Sequence, residues 1–233
     1  MLVFDGENYT LVARLATGNR PTQMAISFDR RYLLVGHDAS QLISVFDLET
    51  LAPVMQIRTP AGHYPRSVAA SGAGVLTANR VAGAVNTIDH VDLVTRTVTQ
   101  LSSLGVYAND IDERTVLAAS PNGAAILAVQ ADGNVLLYDA NARTFTVYRK
   151  DADSLAGAYA ASSYGWYVAG DRLMNASLVT TVRFESSGQP AGFAFVDDFG
   201  FRVTAQSGVG VIERVELPAG TTTRATRIAE APV

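Results

Sequence analysis

The sequence predicts an all-β fold built of four-stranded antiparallel units, and three observations predict it. The pattern x-Ala-x-Ser recurs as "MAIS" ending at Ser27, "VAAS" at Ser71, "LAAS" at Ser120 and "YAAS" at Ser162. A fifth segment, "FAFV", ends at Val196 and keeps the alanine, so the spacings are 44, 49, 42 and 34 residues. Between these marks the apolar runs are short, rich in Val, Ile, Leu and Tyr, and bounded by Gly, Asp, Asn or Ser. No segment sustains a helical period over ten residues, which sets aside helical solenoids of similar spacing. Repeats of about forty residues with four short strands each are the mark of β-propeller blades.

Each repeat reads as strands a to d. Strand a is the x-Ala-x-Ser segment, expected innermost, where converging blades leave room only for small side chains. Ala25, Ala69, Ala118, Ala160 and Ala194 are therefore expected there, facing packed neighbours. Strand b is "YLLVG", "GVLTAN", "AILAVQ", "WYVAG" and "FRVTA". Strand c is "LISVFD", "AVNTID", "NVLLYD", "RLMN" and "GVIERVEL". Strand d is "APVMQI", "RTVTQL", "TFTVYR", "LVTTVRF" and "TTRATRI". Asp5, Asp47, Asp92 and Asp139 precede the c–d hairpins, where a carboxylate can accept backbone N–H bonds in a tight turn. In the fifth repeat "NASL" (Asn175–Leu178) takes that place. Residues 2–16 carry only a c–d hairpin, Leu2–Phe4 with Leu11–Leu15.

The expectation is one propeller domain over 1–233, with five full blades and a c–d half blade. The blades fall at about 1–17, 21–59, 65–104, 114–150, 157–186 and 190–229. The half blade predicts a partial ring of a six- or seven-bladed propeller, the remainder supplied by a longer chain.

Composition narrows the function classes. A hydrophobic fraction of 48% with 17% charged residues fits a globular chain rather than a disordered one. The net charge is -4 and no Lys/Arg block stands out, so neither nucleic acid nor an anionic membrane surface is the expected partner. The absence of cysteine excludes disulfides and Cys-based zinc sites. No window approaches the roughly 18 apolar residues of a membrane helix, so no membrane insertion is expected. "MLVFDGENYT" lacks the basic and apolar regions of a signal peptide. These features fit a cytoplasmic protein, or an extracellular or periplasmic one if the chain is cut from an exported protein.

Three stretches carry a family resemblance: "RPTQMAISFDRRYLLVG…ISVFDLET", "YPRSVAASGAGVLTANRVAGAVNTID" and "AASPNGAAILAVQADGNVLLYD". They resemble the bacterial seven-bladed YVTN and WD-like propeller repeats, which read Ala-x-Ser-Pro-Asp-Gly, an apolar strand and Val-x-Val-x-Asp. The resemblance covers nearly the whole chain and implies a scaffold. That superfamily holds enzymes, redox-protein partners, surface-layer proteins and interaction platforms, so fold alone does not choose among them.

In a propeller the d–a and b–c loops share the face that usually binds ligands. The reaching polar residues of those loops are Arg20, His37, His63, Tyr64, Arg66, Asn79, Arg80, Gln130, Asp132, Asp171 and Arg172. Several arginines there suit an anionic or hydroxylated ligand; the structural alternative is a solvated face with ion pairs such as Arg80 with Asp132. His37 and His63, with Asp38 nearby, lack any H-x-x-x-H spacing, so no metal is expected. Gly-rich stretches such as "SGVGVIER" lead into strands rather than helices and are turns, not phosphate loops. Tyr159, Tyr164, Trp166 and Tyr167 are expected to pack between blades, with carbohydrate stacking as the alternative.

The reading is a non-catalytic interaction or scaffold domain with a protein or carbohydrate partner and no cofactor. The alternative is a lactonase-like hydrolase, whose His/Glu/Arg cluster here lacks a convincing glutamate.

Overall fold

The computed structural model describes residues 1–18, 20–152, 154–184, 192–206 and 209–227. Among them there is no helix. The chain divides into two compact units, Met1–Leu117 and Ala118–Val233.

The first unit opens with a hairpin of β1 (Leu2–Phe4) and β2 (Leu11–Arg14). A four-stranded sheet follows, of β3 (Pro21–Ile26), β4 (Tyr32–His37), β5 (Leu42–Asp47) and β6 (Pro53–Arg58). The next is β7 (His63–Ser71), β8 (Gly74–Val81), β9 (Thr87–Asp92) and β10 (Thr97–Gln100). A small hairpin, β11 (Ser103–Leu104) with β12 (Tyr107–Ala108), follows β10. Gly105, at φ +68, permits its tight turn. Asn109 anchors the segment: its Oδ1 accepts the Ile88 N–H at 2.8 Å, and its Nδ2 donates to the Ile88 and Leu101 carbonyls at 2.7 and 2.8 Å.

A third sheet comprises β13 (Val116–Ala119), β14 (Ala125–Val129), β15 (Val135–Asp139) and β16 (Thr144–Arg149). The second unit continues with β17 (Ala158–Ala161), β18 (Tyr167–Gly170), β19 (Arg172–Met174) and β20 (Thr180–Arg183). It ends in β21 (Gly192–Val196), β22 (Phe199–Gln206), β23 (Val209–Glu216) and β24 (Thr221–Arg227). Every four-stranded sheet is a meander in chain order, and the pairs β4–β5, β8–β9, β15–β16, β18–β19 and β22–β23 are antiparallel. This all-β architecture of repeated four-stranded sheets is consistent with a propeller.

Two side-chain devices recur and explain why these short segments turn where they do. At the a–b turns Ser27, Ser120 and Ser162 accept the N–H of Tyr32, Ala125 and Trp166 at 2.9, 2.9 and 2.8 Å. Three residues after each a-strand serine the backbone is left-handed, at Arg30, Gly74, Gly123 and Gly165. At the c–d turns Asp5, Asp47, Asp92 and Asp139 each accept two backbone N–H bonds through Oδ1, at 2.8–3.0 Å. Asn175 does the same for Ser177 and Val179.

The hydrophobic side chains bury between successive sheets within each unit. Val3, Ala13 and Leu15 of the first hairpin region pack on Val35 and Phe46. Leu34, Ile43 and Val45 pack on Val68, Ala70, Val75 and Val91. In the second unit Leu127, Val129 and Leu137 meet Ala161, Tyr167 and Ala169, and Val168 and Leu173 meet Phe193, Phe195 and Val215. Trp166 and Tyr159 join these layers, whereas Tyr164 stands 62% exposed at a turn.

The five marker alanines all lie on the first, edge strand of their sheets. Ala194 departs from the expected packing and is exposed. Phe193 and Phe195 occupy the packed side of β21, so the alternation of a strand turns Ala194 to the other face.

Candidate functional site

The sequence-selected residues of the first unit separate into a buried set and a half-exposed set. His37, His63 and Asn79 are buried. His37 Nε2 lies 3.1 Å from the Ser44 hydroxyl. His63 Nδ1 lies 2.8 Å from Asp89 Oδ2, the Thr87 hydroxyl donates to Asp89 Oδ1 at 3.0 Å, and Thr59 donates to the His63 carbonyl at 2.6 Å. Asn79 Nδ2 donates to the Thr87 carbonyl at 3.2 Å. Burial pushes the Asp89 carboxyl above its ordinary range, opposed by His63, Thr87 and Asn79. The two histidines thus serve different sheets and different partners. Among the described residues no three His, Cys, Asp or Glu side chains cluster as metal ligands would.

The half-exposed set converges on one carboxylate. Arg80, at the end of β8, places Nε 3.0 Å from Asp38 Oδ1 and donates from Nη2 to the Asp38 carbonyl at 2.8 Å. Arg66, on β7, brings its Nε to 3.4 Å from the same Oδ1 and donates from Nη1 to the Glu113 carbonyl at 2.7 Å. The Arg80 guanidinium also stacks over the Tyr64 ring, 4.3 Å from its centroid. The solvated-face alternative names Asp132 as an ion-pair partner for Arg80; the structure gives Arg80 Asp38 instead, and Asp132 closes its own turn on the N–H and amide of Asn134. Arg20 joins through its backbone, its carbonyl accepting the Asp38 N–H at 3.1 Å.

The strand spacing explains this convergence. Tyr64, Arg66 and Arg80 sit at the same end of an antiparallel pair, with Tyr64 opposite Arg80. Asp38 follows β4, whose Gly36 lets the neighbouring sheet come close. A Cβ on Gly36 would lie 2.4 Å from the Pro65 carbonyl oxygen and 2.8 Å from Val68 Cγ2. Two guanidiniums share the one Asp38 carboxylate, and the side chains of Arg66, Arg80 and Asp38 remain 28%, 33% and 23% exposed. Beside them opens a hollow of about 390 Å³ lined by Thr22, Gln23, Arg66, Ser67, Glu113 and Arg114. Ser67 donates to Gln23 and accepts the Leu117 N–H at 2.8 Å, which fixes the hollow's floor.

In the second unit Gln130 is buried at the start of a turn, its N–H bonded to the Asn134 carbonyl at 2.8 Å. Arg172 is buried, with Nε 3.6 Å from Asp171 Oδ1. The contributors that sequence reasoning left outside the site are Asp38, Glu113 and Arg114. They lie within loops of the same expected face, but nothing in residue type marked Asp38 as the common acceptor.

No protein-family model matches the chain, and a search of curated proteins finds no match.

Proposed function

We propose that this chain is a β-propeller module, similar to the YVTN and WD-like repeats, that works by binding a partner rather than by catalysis. The sheets support it: each is a four-stranded meander, and successive sheets within a unit stack face to face. The observation that carries the binding reading is the Arg66–Asp38–Arg80 arrangement stacked on Tyr64. It presents two oriented guanidiniums with spare donors and only one carboxylate between them, beside an open hollow. Guanidinium forks recognise carboxylates in two-point geometry, and pre-oriented ones lose less entropy on binding. The partner class is therefore a protein or glycan bearing acidic groups.

The test uses arrays of acidic peptides and of uronate-bearing glycans, probed with the wild-type chain and with Arg66→Glu/Arg80→Glu. Binding to a carboxylate-bearing probe that weakens at least tenfold in the double variant, and weakens with salt, supports the reading. Equal binding by both proteins, or lactone hydrolysis by the wild type that Asp38→Asn abolishes, defeats it.

A further inference from the structure

The first hairpin presents a second, separate docking feature. Asp5 accepts from the N–H groups of Glu7 and Asn8, as Asp47 accepts from Glu49 and Thr50, so β1–β2 is the counterpart of β5–β6. Phe4 then stands where Phe46 stands, one residue before the turn carboxylate. In the next sheet Phe46 and Ser44 pair with Leu33 and Val35 of β4. Among the described residues β1 pairs only with β2.

The direction of the backbone groups follows from the ladder. Leu15 donates to the Met1 carbonyl and Asp5 to the Thr10 carbonyl, both at 2.9 Å. Backbone groups in an antiparallel ladder alternate sides, so Met1, Val3 and Asp5 address β2, and the N–H and C=O of Leu2 and Phe4 address the open edge. An open strand edge is a template for another strand.

An independent comparison shows what would sit there. Met24 and Ile26 of β3 hold the register of Val68 and Ala70 of β7, counted back from Ser27 and Ser71. Val68 and Ala70 are buried, 1% and 6% exposed, because the preceding sheet covers them. Met24 and Ile26 are 58% and 54% exposed. One added element would satisfy both positions: a two-stranded hairpin whose apolar strand pairs with β1 and whose face covers β3.

We propose that the β1 edge, together with Met24 and Ile26, is a docking site for a partner β-hairpin with an apolar strand of the kind seen in β4, β8 and β14. Strand addition supplies the affinity through main-chain bonds, and the apolar face of β3 supplies the selection. The site is independent of the arginine pair.

The probe is a synthetic peptide of residues 66–81, the β7–β8 hairpin of this chain, titrated into the full chain by calorimetry. Phe4→Pro removes one outward N–H and none of the hairpin's own donors, and Ile26→Asp places a charge on the covered face. Circular dichroism and urea midpoints check that both variants fold. Saturable binding that weakens at least tenfold in each variant supports the proposal. No binding to the wild type, or binding unchanged in both folded variants, overturns it. Self-association through this edge that the peptide does not compete away overturns it as well.

Discussion

The Nδ1 atom of His63 lies 2.8 Å from the Oδ2 atom of Asp89, and both side chains are nearly withdrawn from water, at 9% and 0% exposure. The pair links the first residue of β7 to the middle of β9, across β8. Removing one partner leaves the other buried without compensation. Asp89→Ala leaves the His63 ring and the Thr87 hydroxyl without their buried acceptor and is expected to cost about 1–3 kcal/mol, the range for an unsatisfied buried polar group. Replacing both by leucine should cost much less than twice that value. Urea unfolding of the single and double variants checks this, and a loss under about 1 kcal/mol in Asp89→Ala would remove the pair from the stabilising core.

The acid response carries two opposite signs. Asp5, Asp47 and Asp92 are held below the ordinary 3.8 by turn N–H bonds, from Asn8, Thr50 and Thr95 first. Their stabilisation is present above that value and lost as pH falls through the lowered ones. Asp89 is raised, so its contribution is present below 3.8 and lost as pH rises through the raised value. A triple Asp→Asn variant at the turns, with amide oxygens as acceptors as at Asn175, should lose less stability than wild type between pH 5 and 3. Denaturation midpoints at the two pH values decide it: an equal loss rules the turn carboxylates out as the acid-sensitive groups.

Arg30 occupies a position that glycine fills in three other sheets. Its φ of +58 matches +69 at Gly123 and +77 at Gly165, yet it carries a Cβ. That conformation costs an L-residue about 1–2 kcal/mol, and Arg30 is exposed, with its neighbour Arg31 the residue that stacks on Tyr32. Arg30→Gly is expected to stabilise the chain by up to about 1 kcal/mol after the extra unfolded-state entropy of glycine is subtracted. A lowered melting temperature in that variant contradicts the turn assignment.

Gly36 is the reverse case. Its backbone needs no special φ, but the Pro65 carbonyl oxygen occupies the space of a side chain. Gly36→Ala must push β4 and β7 apart, and overpacking of this kind typically costs about 1–3 kcal/mol. The same displacement moves Asp38 relative to Arg66, so probe binding at the arginine pair should weaken along with the urea midpoint. An unaltered midpoint would show that β7 can yield at Pro65.

The strands and turn carboxylates were legible because their physics is local. A short apolar run, a Ser or Asp at its end and a turn after it already specify which N–H groups will be accepted. The left-handed residues Arg30, Leu51, Arg96 and Arg143 were not legible, since none is Gly or Asn and the turn geometry imposes the conformation from outside. The candidate site was half legible. Residue type and loop position selected Tyr64, Arg66 and Arg80, but that both arginines share Asp38 depends on how closely β4 approaches β7 at Gly36. His63 was selected for its loop and lies buried, because its ring finds Asp89 two strands away.

The turn carboxylates bear on the order of folding. Each binds N–H groups only two and three residues ahead of it, and each closes a hairpin whose strands are adjacent in sequence. Hairpins of this kind close in about 1–10 μs, and contacts of short sequence separation carry little loop-closure entropy. The c–d hairpins are therefore expected to be among the first elements to form as the chain collapses. The stacking of one sheet on the next, with its separations of tens of residues, is left as the slow step, and a variant that weakens a turn clamp should slow refolding more than one that thins the layers between sheets.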